Sequence, residues 1–160
     1  FNGIGKSTLL KTSLGLHDAL DGSVDIAENV VFGYFEQELR WAVPKQSPLQ
    51  FLLGEYPALS QRPLRQVLSR TGLTREEADK PLQLLSGGEQ SKVKLADLML
   101  QPTNVLVMDE PTNHLDDDTK NALRDALIAY PGAVLLVSHE AGFYDDSWVD
   151  TRINIENLRH

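Results

Sequence analysis

The chain has 160 residues, the size of one domain, and its 41% hydrophobic and 24% charged side chains are enough to bury a core. A formal net charge of −8 argues against gripping nucleic acid through a generally basic surface, while a local basic patch and phosphate ligands stay open. With no cysteine there is neither a disulfide nor a thiolate metal site, no apolar run approaches the ~20 residues of a transmembrane segment, and no signal-peptide core is present, so a cytoplasmic setting is expected.

Phe1 to Leu14, FNGIGKSTLLKTSL, runs from glycines around a lysine into a helix-like segment. The phosphate-loop pattern is G-x-x-x-x-G-K-[ST]; Gly5, Lys6 and Ser7 fill its end, and its first glycine would fall one position before Phe1. The chemistry asks for these residue types. Glycines let backbone N–H groups close on phosphate oxygens, a helix start adds positive potential, Lys6 reaches the β and γ phosphates, and Ser7 offers a hydroxyl to Mg²⁺. A flexible Gly-rich terminus before a helix is the plain alternative, and the GKST order speaks against it. Because such a loop follows a buried strand, the chain is expected to be a fragment. Its parallel sheet should lack N-terminal strands or receive them from outside the 160 residues.

Gly22 to Glu38 reads as two short strands, the first around Val24 and Ile26 and the second over Val30 to Phe35, with Ala27-Glu28-Asn29 as the turn. Gln37 follows the second strand, where its amide is suited to Mg²⁺ or to a water, or is simply a solvated loop residue. From Leu39 the pattern turns helical and proline-punctuated, with helices expected over Pro63 to Arg70 and Thr74 to Lys80, the latter capped by Thr74 and Glu77. Arg62, Arg65, Arg70 and Arg75 tint this part basic; contact with RNA or a partner competes with a solvated helix face beside Glu76, Glu77 and Asp79. The composition shift suggests a small helical subdomain, about residues 39–100, inserted in the core.

Ser86, Gly87 and Gly88 open an amphipathic helix, Glu89 to Leu100, whose apolar stripe is Val93, Ala96, Met99 and Leu100. A Ser-Gly-Gly turn at a helix start offers free N–H groups, a hydroxyl and the positive dipole end, so it is an anion site or an ordinary N-cap. Val105 to Met108 is then a run suited to a buried parallel strand, with Asp109 and Glu110 at its carboxyl end and Pro111 stopping it. Two carboxylates on that rim of an open α/β sheet can serve a metal and a water, or form an acidic turn. Asp117 to Tyr130 reads as a helix with Asp117 and Asp118 in its first turn, Ala133 to Val137 as another buried strand, and Arg152 to Ile155 as a last one. Ser138 and His139 stand at the same rim as Asp109 and Glu110.

Assembled, these motifs resemble an ATP-binding cassette (ABC) nucleotide-binding domain over essentially the whole chain. NGIGKST, from Asn2 and Gly3 to Thr8, is similar to the phosphate loop, Gln37 to the Q-loop glutamine, LSGGEQ to the signature, VLVMDE to the Walker B strand, Leu115-Asp116 to the D-loop, and His139 to the switch histidine. EPTNHLD, Glu110 to Asp116, resembles the ABC-F proteins, which carry two cassettes in one polypeptide, lack membrane domains and act on the ribosome in translation or antibiotic resistance; the wording looks like a second cassette. Many relatives read SHDR where this chain has Ser138-His139-Glu140-Ala141.

The resemblance implies an α/β P-loop fold of ABC type, a mostly parallel sheet flanked by helices, and an ATPase using ATP and Mg²⁺. Asn2, Gly3, Gly5, Lys6, Ser7 and Thr8 would hold phosphates; Ser7, Gln37 and Asp109 would organise the metal; Glu110 would polarise water and His139 contact the γ-phosphate. Ser86, Gly87 and Gly88 would complete the site of a second cassette, in the same polypeptide or a homodimer. The ribosome is the expected partner. A transporter ATPase subunit is the main rival. A chromosome-maintenance head is disfavoured because about fifty proline-bearing residues, without heptads, stand where a long coiled coil belongs, and a non-catalytic cassette because Glu110 is present.

Overall fold

The computed structural model describes residues 5–35, 39–113, 115–140, 142–145 and 147–154. Helix α1 is Lys6–Ser13, strand β1 Phe32–Phe35, and helices α2, α3 and α4 are Pro48–Glu55, Gln61–Arg70 and Arg75–Asp79. A 3₁₀ turn at Leu82–Leu84 leads into α5, Gly87–Leu100, followed by β2 (Val105–Asp109), α6 (Asp117–Ile128) and β3 (Ala133–Val137). The strands form a parallel sheet in the order β1-β2-β3, with Met108 between Phe35 and Leu136, and Asp109 beside Val137. Parallel register puts every carboxyl end on one rim. Glu110, directly after β2, and His139, two residues past the end of β3, therefore leave the sheet at the same edge.

Two hydrophobic clusters meet along α5. Leu95 and Leu98 join β2, α6 and Phe143 in one, while Val93 and Ala96 join Leu49, Leu52, Leu64, Leu68 and Leu82 in the other. Offsets of two residues turn side chains about 200° around a helix, so these pairs occupy opposite faces. The single stripe expected from Val93, Ala96, Met99 and Leu100 is thus only part of the apolar surface; α5 is packed on both sides. Gly33 of β1 lies close under it. A Cβ there would meet Leu106 Cδ2 at 2.9 Å and Leu98 Cδ2 at 3.2 Å, so a side chain would force these leucines to shift.

Several expectations are corrected. Val24 and Ile26 are exposed in irregular chain, because an alternating segment without a strand partner among the described residues has no ladder to join. The expected Val30–Phe35 strand contracts to Phe32–Phe35; Val31 is held instead through Asn104, whose side-chain oxygen accepts from its N–H at 2.8 Å and whose own N–H donates to its carbonyl at 3.0 Å. β3 was expected to be buried, yet Leu135 is 42% exposed, since the strand sits at the margin of the described sheet with one neighbour. Residues 152–154 form no strand: Arg152 turns its guanidinium onto the Tyr144 carbonyl and ring, and Ile155 lies outside the described residues. Helix α6 starts at Asp117 as expected, capped by Asp116, whose carboxylate accepts from Thr119 N–H at 2.7 Å, but ends at Ile128 rather than Tyr130.

Candidate functional site

The site starts at the N-terminus of α1. Gly5 occupies the cap position at φ +89°, a left-handed conformation that glycine adopts without Cβ strain, and has no side chain to satisfy the helix's first N–H groups. No acid lies in the first turn. Among the described residues no side chain caps these amides, and with the dipole's positive end and Lys6 they make the helix start cationic.

Lys6 reaches across to β2's end, where its Nζ donates to Glu110 Oε1 at 3.0 Å. The other carboxylate oxygen, Oε2, accepts from the His139 backbone N–H at 3.2 Å and lies 2.7 Å from His139 Nδ1. If Nδ1 carries the hydrogen, Nε2 is left open for a second partner. Glu110 is 9% exposed and takes φ +50°, uncommon for a residue with a side chain. Its N–H is fixed to Val137 O at 2.8 Å, so the strand pairing itself imposes the turn that aims the carboxylate. Burial pushes the Glu110 carboxyl upward, but the hydrogen bonds and charges of His139 and Lys6 outweigh it and hold the group below the ordinary carboxylate range.

Asp109 is 3% exposed and its Oδ1 has no hydrogen-bond partner. A buried unpartnered carboxylate oxygen is unfavourable without a compensating cation, so its chemistry fits a metal or metal-bound water. Among the described residues no cluster of three or more acids and histidines forms a complete metal cage. Asn2, Gly3 and Gln37, all expected at the site, lie outside the described residues.

Ser86, Gly87 and Gly88 are not at this cluster. Ser86 Oγ accepts from Glu89 N–H at 3.2 Å and Glu89 Oε2 from Ser86 N–H at 2.9 Å, a reciprocal cap at the start of α5. The hydroxyl's own hydrogen remains available to an acceptor. A Cβ on Gly88 would approach Asp116 Oδ2 at 3.8 Å and Thr119 Oγ1 at 3.6 Å, so the turn packs against the start of α6.

Sequence reasoning passed over the supports of the histidine loop. Lys120 on α6 donates to Glu140 Oε1 at 2.7 Å, and the Tyr144 hydroxyl donates to Ser138 O at 2.8 Å. The Glu140-for-Asp wording after His139 was the available signal; nothing in sequence pointed to Lys120. Trp41 was also missed, and its indole N–H donates to Gln90 Oε1 at 2.8 Å, joining the segment after β1 to the signature helix.

A family model described as ABC transporter matches residues 1–113. The chain belongs to the ABC transporter family. It is therefore an ABC ATP-binding domain, and its curated relatives are ABC-F type ATP-binding proteins. It is 45% identical over 150 residues to the ABC transporter ATP-binding protein YfmM of Bacillus subtilis, a match covering 94% of this chain and 29% of that protein. It is 35% identical over 148 residues to the energy-dependent translational throttle protein EttA of Mycobacterium tuberculosis, covering 90% of this chain and 26% of that one. The chain thus spans less than a third of these relatives. A bacterial ABC transporter cassette solved as a dimer superposes with a TM-score of 0.69 at 20% identity, over 87% of this chain and 72% of that one, which establishes the shared cassette fold. Among the described residues, no helix is long and apolar enough to cross a membrane.

Proposed function

We propose that this cassette hydrolyses ATP within a cytoplasmic ABC-F protein that acts on the ribosome. The observation that carries the hydrolytic part is the convergence of Lys6 and His139 on the two oxygens of Glu110. In the reading we favour, the loop amides from Gly5 to Thr8 and Lys6 take the β and γ phosphates, with Asn2 and Gly3 completing the loop. Ser7, Gln37 and Asp109 would hold Mg²⁺, which neutralises phosphate charge. Glu110, ionised at neutral pH, accepts a proton from water as the water oxygen bonds to the γ-phosphorus. The bond from that phosphorus to the β–γ bridging oxygen breaks, and ADP leaves with the electron pair. His139, steadied through Nδ1, donates from Nε2 to the γ-phosphate when protonated. Binding of phosphate draws Lys6 from Glu110 and frees Oε1 for the water.

The Ser86 hydroxyl and the amides of Gly87 and Gly88 serve the second cassette, so each composite site needs two. Residues 39–100 act as a subdomain carrying that signature turn. The ribosome reading is supported by the Asn113-to-Asp116 wording and by the relation to EttA, whose name describes a translational throttle. These favour it over a transporter subunit.

The test is Glu110→Gln in the full-length protein. Turnover should fall about 10²- to 10⁴-fold, the usual contribution of general acid–base catalysis, while ATP-bound cassette pairs accumulate and sediment with ribosomes in ATP but not ADP. Unchanged hydrolysis removes Glu110 from the role of base. ATP trapping without ribosome association removes the ribosome and keeps the ATPase.

A further inference from the structure

Outside the nucleotide site, the described surface carries one concentration of positive charge at odds with the chain's net charge of −8. Helix α3, QRPLRQVLSR, has three arginines and no acid. Its Leu64 and Leu68 are buried, so Arg62, Arg65, Gln66 and Ser69 are displaced toward the other side. Between α3 and α4 lies a groove of about 670 Å³, lined by Arg62, Arg65, Gln66, Ser69, Thr74 and Arg75 over a floor of Leu68, Leu73 and Ala78. No carboxylate lines it. Asp79 stands outside and holds Arg65 in a two-pronged pair at 2.8 and 3.1 Å. Arg62 and Arg75 are exposed and form no ion pair among the described residues, although Arg75 contributes to holding the Asp79 carboxyl below its usual range, after the larger effect of Arg65.

We propose that this groove is a binding site for the phosphate backbone of double-stranded RNA. Three guanidinium groups match phosphate oxygens by their planar fork geometry, and Gln66, Ser69 and Thr74 offer hydrogen bonds to phosphate or 2′-hydroxyl oxygens. Thr74 Oγ1 accepts from Glu77 N–H as a cap, which leaves its hydrogen free to donate. An acidic protein segment fits less well. Protein interfaces draw on exposed aromatic or aliphatic anchors at their centre, whereas the apolar floor here is buried to within 4% exposure at Leu68, Leu73 and Ala78. Single-stranded RNA fits less well too, because no aromatic ring lines the groove for base stacking. The site's biological setting rests on the ribosome reading above; its affinity for RNA does not.

With Arg65 held by Asp79, the two phosphate contacts from Arg62 and Arg75 give a salt slope of about 1.8, so affinity for duplex RNA should fall about 12-fold between 50 and 200 mM salt. In the full-length protein, a mixed-sequence RNA duplex is titrated against Arg62→Ala/Arg75→Ala and Asp79→Asn, with poly-glutamate as the competing polyanion. The double variant should lose about two units of slope, and Asp79→Asn, which releases Arg65, should bind RNA several-fold more tightly. ATP turnover without RNA should be unchanged in both. An unchanged slope in the double variant overturns the proposal, as does poly-glutamate bound as tightly as the duplex. Groove-dependent duplex binding in a protein that never sediments with ribosomes supports the groove and sinks the ribosome reading. Ribosome association without duplex binding does the reverse.

Discussion

Around Leu64 and Leu68 the helices α2, α3 and α5 close on side chains with no more than 1% exposure, and the caps nearby are reciprocal: Ser47 with Gln50, Thr74 with Glu77. Even its half-buried Tyr56 hydroxyl is paired, donating to Asp97 at 2.7 Å. Burial there raises the phenol's pKa, with the Asp97 hydrogen bond adding to the effect, so the group stays neutral. The sheet rim, less than a helix length of sequence beyond α5, is built otherwise. It holds Asp109 with a bare buried oxygen, Glu110 at a left-handed φ, and a lysine drawn onto the carboxylate. A left-handed side-chain residue costs about 1–3 kcal/mol and persists only where its surroundings enforce it. The helical region satisfies itself, and the rim is left for a ligand to satisfy.

The contrast can be broken most sharply in the helical core. Leu64→Ala should destabilise the protein by about 2–5 kcal/mol, the usual range for a leucine cavity in a rigid core, while ATP turnover per folded molecule stays near the parent's. Thermal unfolding paired with turnover measures both. A turnover loss in fully folded variant would mean that the two regions are mechanically one.

At the rim the sign should reverse. Asp109→Asn removes a buried charge whose Oδ1 is unpartnered, so the ligand-free protein should gain about 1–2 kcal/mol, or roughly 2–8 °C in Tm for a domain of this size. Magnesium-dependent ATP binding should weaken at the same time, read by nucleotide titration with and without the metal. A lower Tm in the ligand-free variant would show that Asp109 is a structural acid.

The same division explains what the sequence made legible. Helix starts and strand ends are local, so the turns Gly5-Lys6-Ser7 and Ser86-Gly87-Gly88 and the strand end Asp109-Glu110 were readable as elements, and parallel pairing of β2 and β3 placed His139 at the same rim as Glu110. Strand expectations at Val24–Ile26 and Arg152–Ile155 failed in their described parts because alternation reports a capacity to pair, not a partner. The opposite faces of α5 were obscured because a helix packed on both sides loses its amphipathic contrast. Lys120–Glu140 and Trp41–Gln90 span 20 and 49 residues, and no local pattern announces contacts made only after folding.

The smallest effect expected is also the finest probe of where the rim begins. Lys120 and Glu140 are partly exposed, with side-chain exposures of 23% and 34%, so their pair should contribute no more than about 0.2–1 kcal/mol to stability. The lysine's hydrogen bond holds the Glu140 carboxyl below its ordinary range, so that contribution is complete above the unfolded carboxylate pKa and fades as pH falls through the lower folded value. Yet Glu140 directly follows His139, and Lys120 sits on the helix that Asp116 caps, so the pair fastens the histidine loop to the segment beside the signature turn. If position is what it supplies, Lys120→Ala should lower turnover several-fold with little change in KM for ATP. The exchanged pair Lys120→Glu/Glu140→Lys should recover part of the loss. A purely structural pair would move Tm by its few tenths of a kcal/mol and leave turnover per folded molecule untouched, which would place the boundary between the two regions at His139 itself.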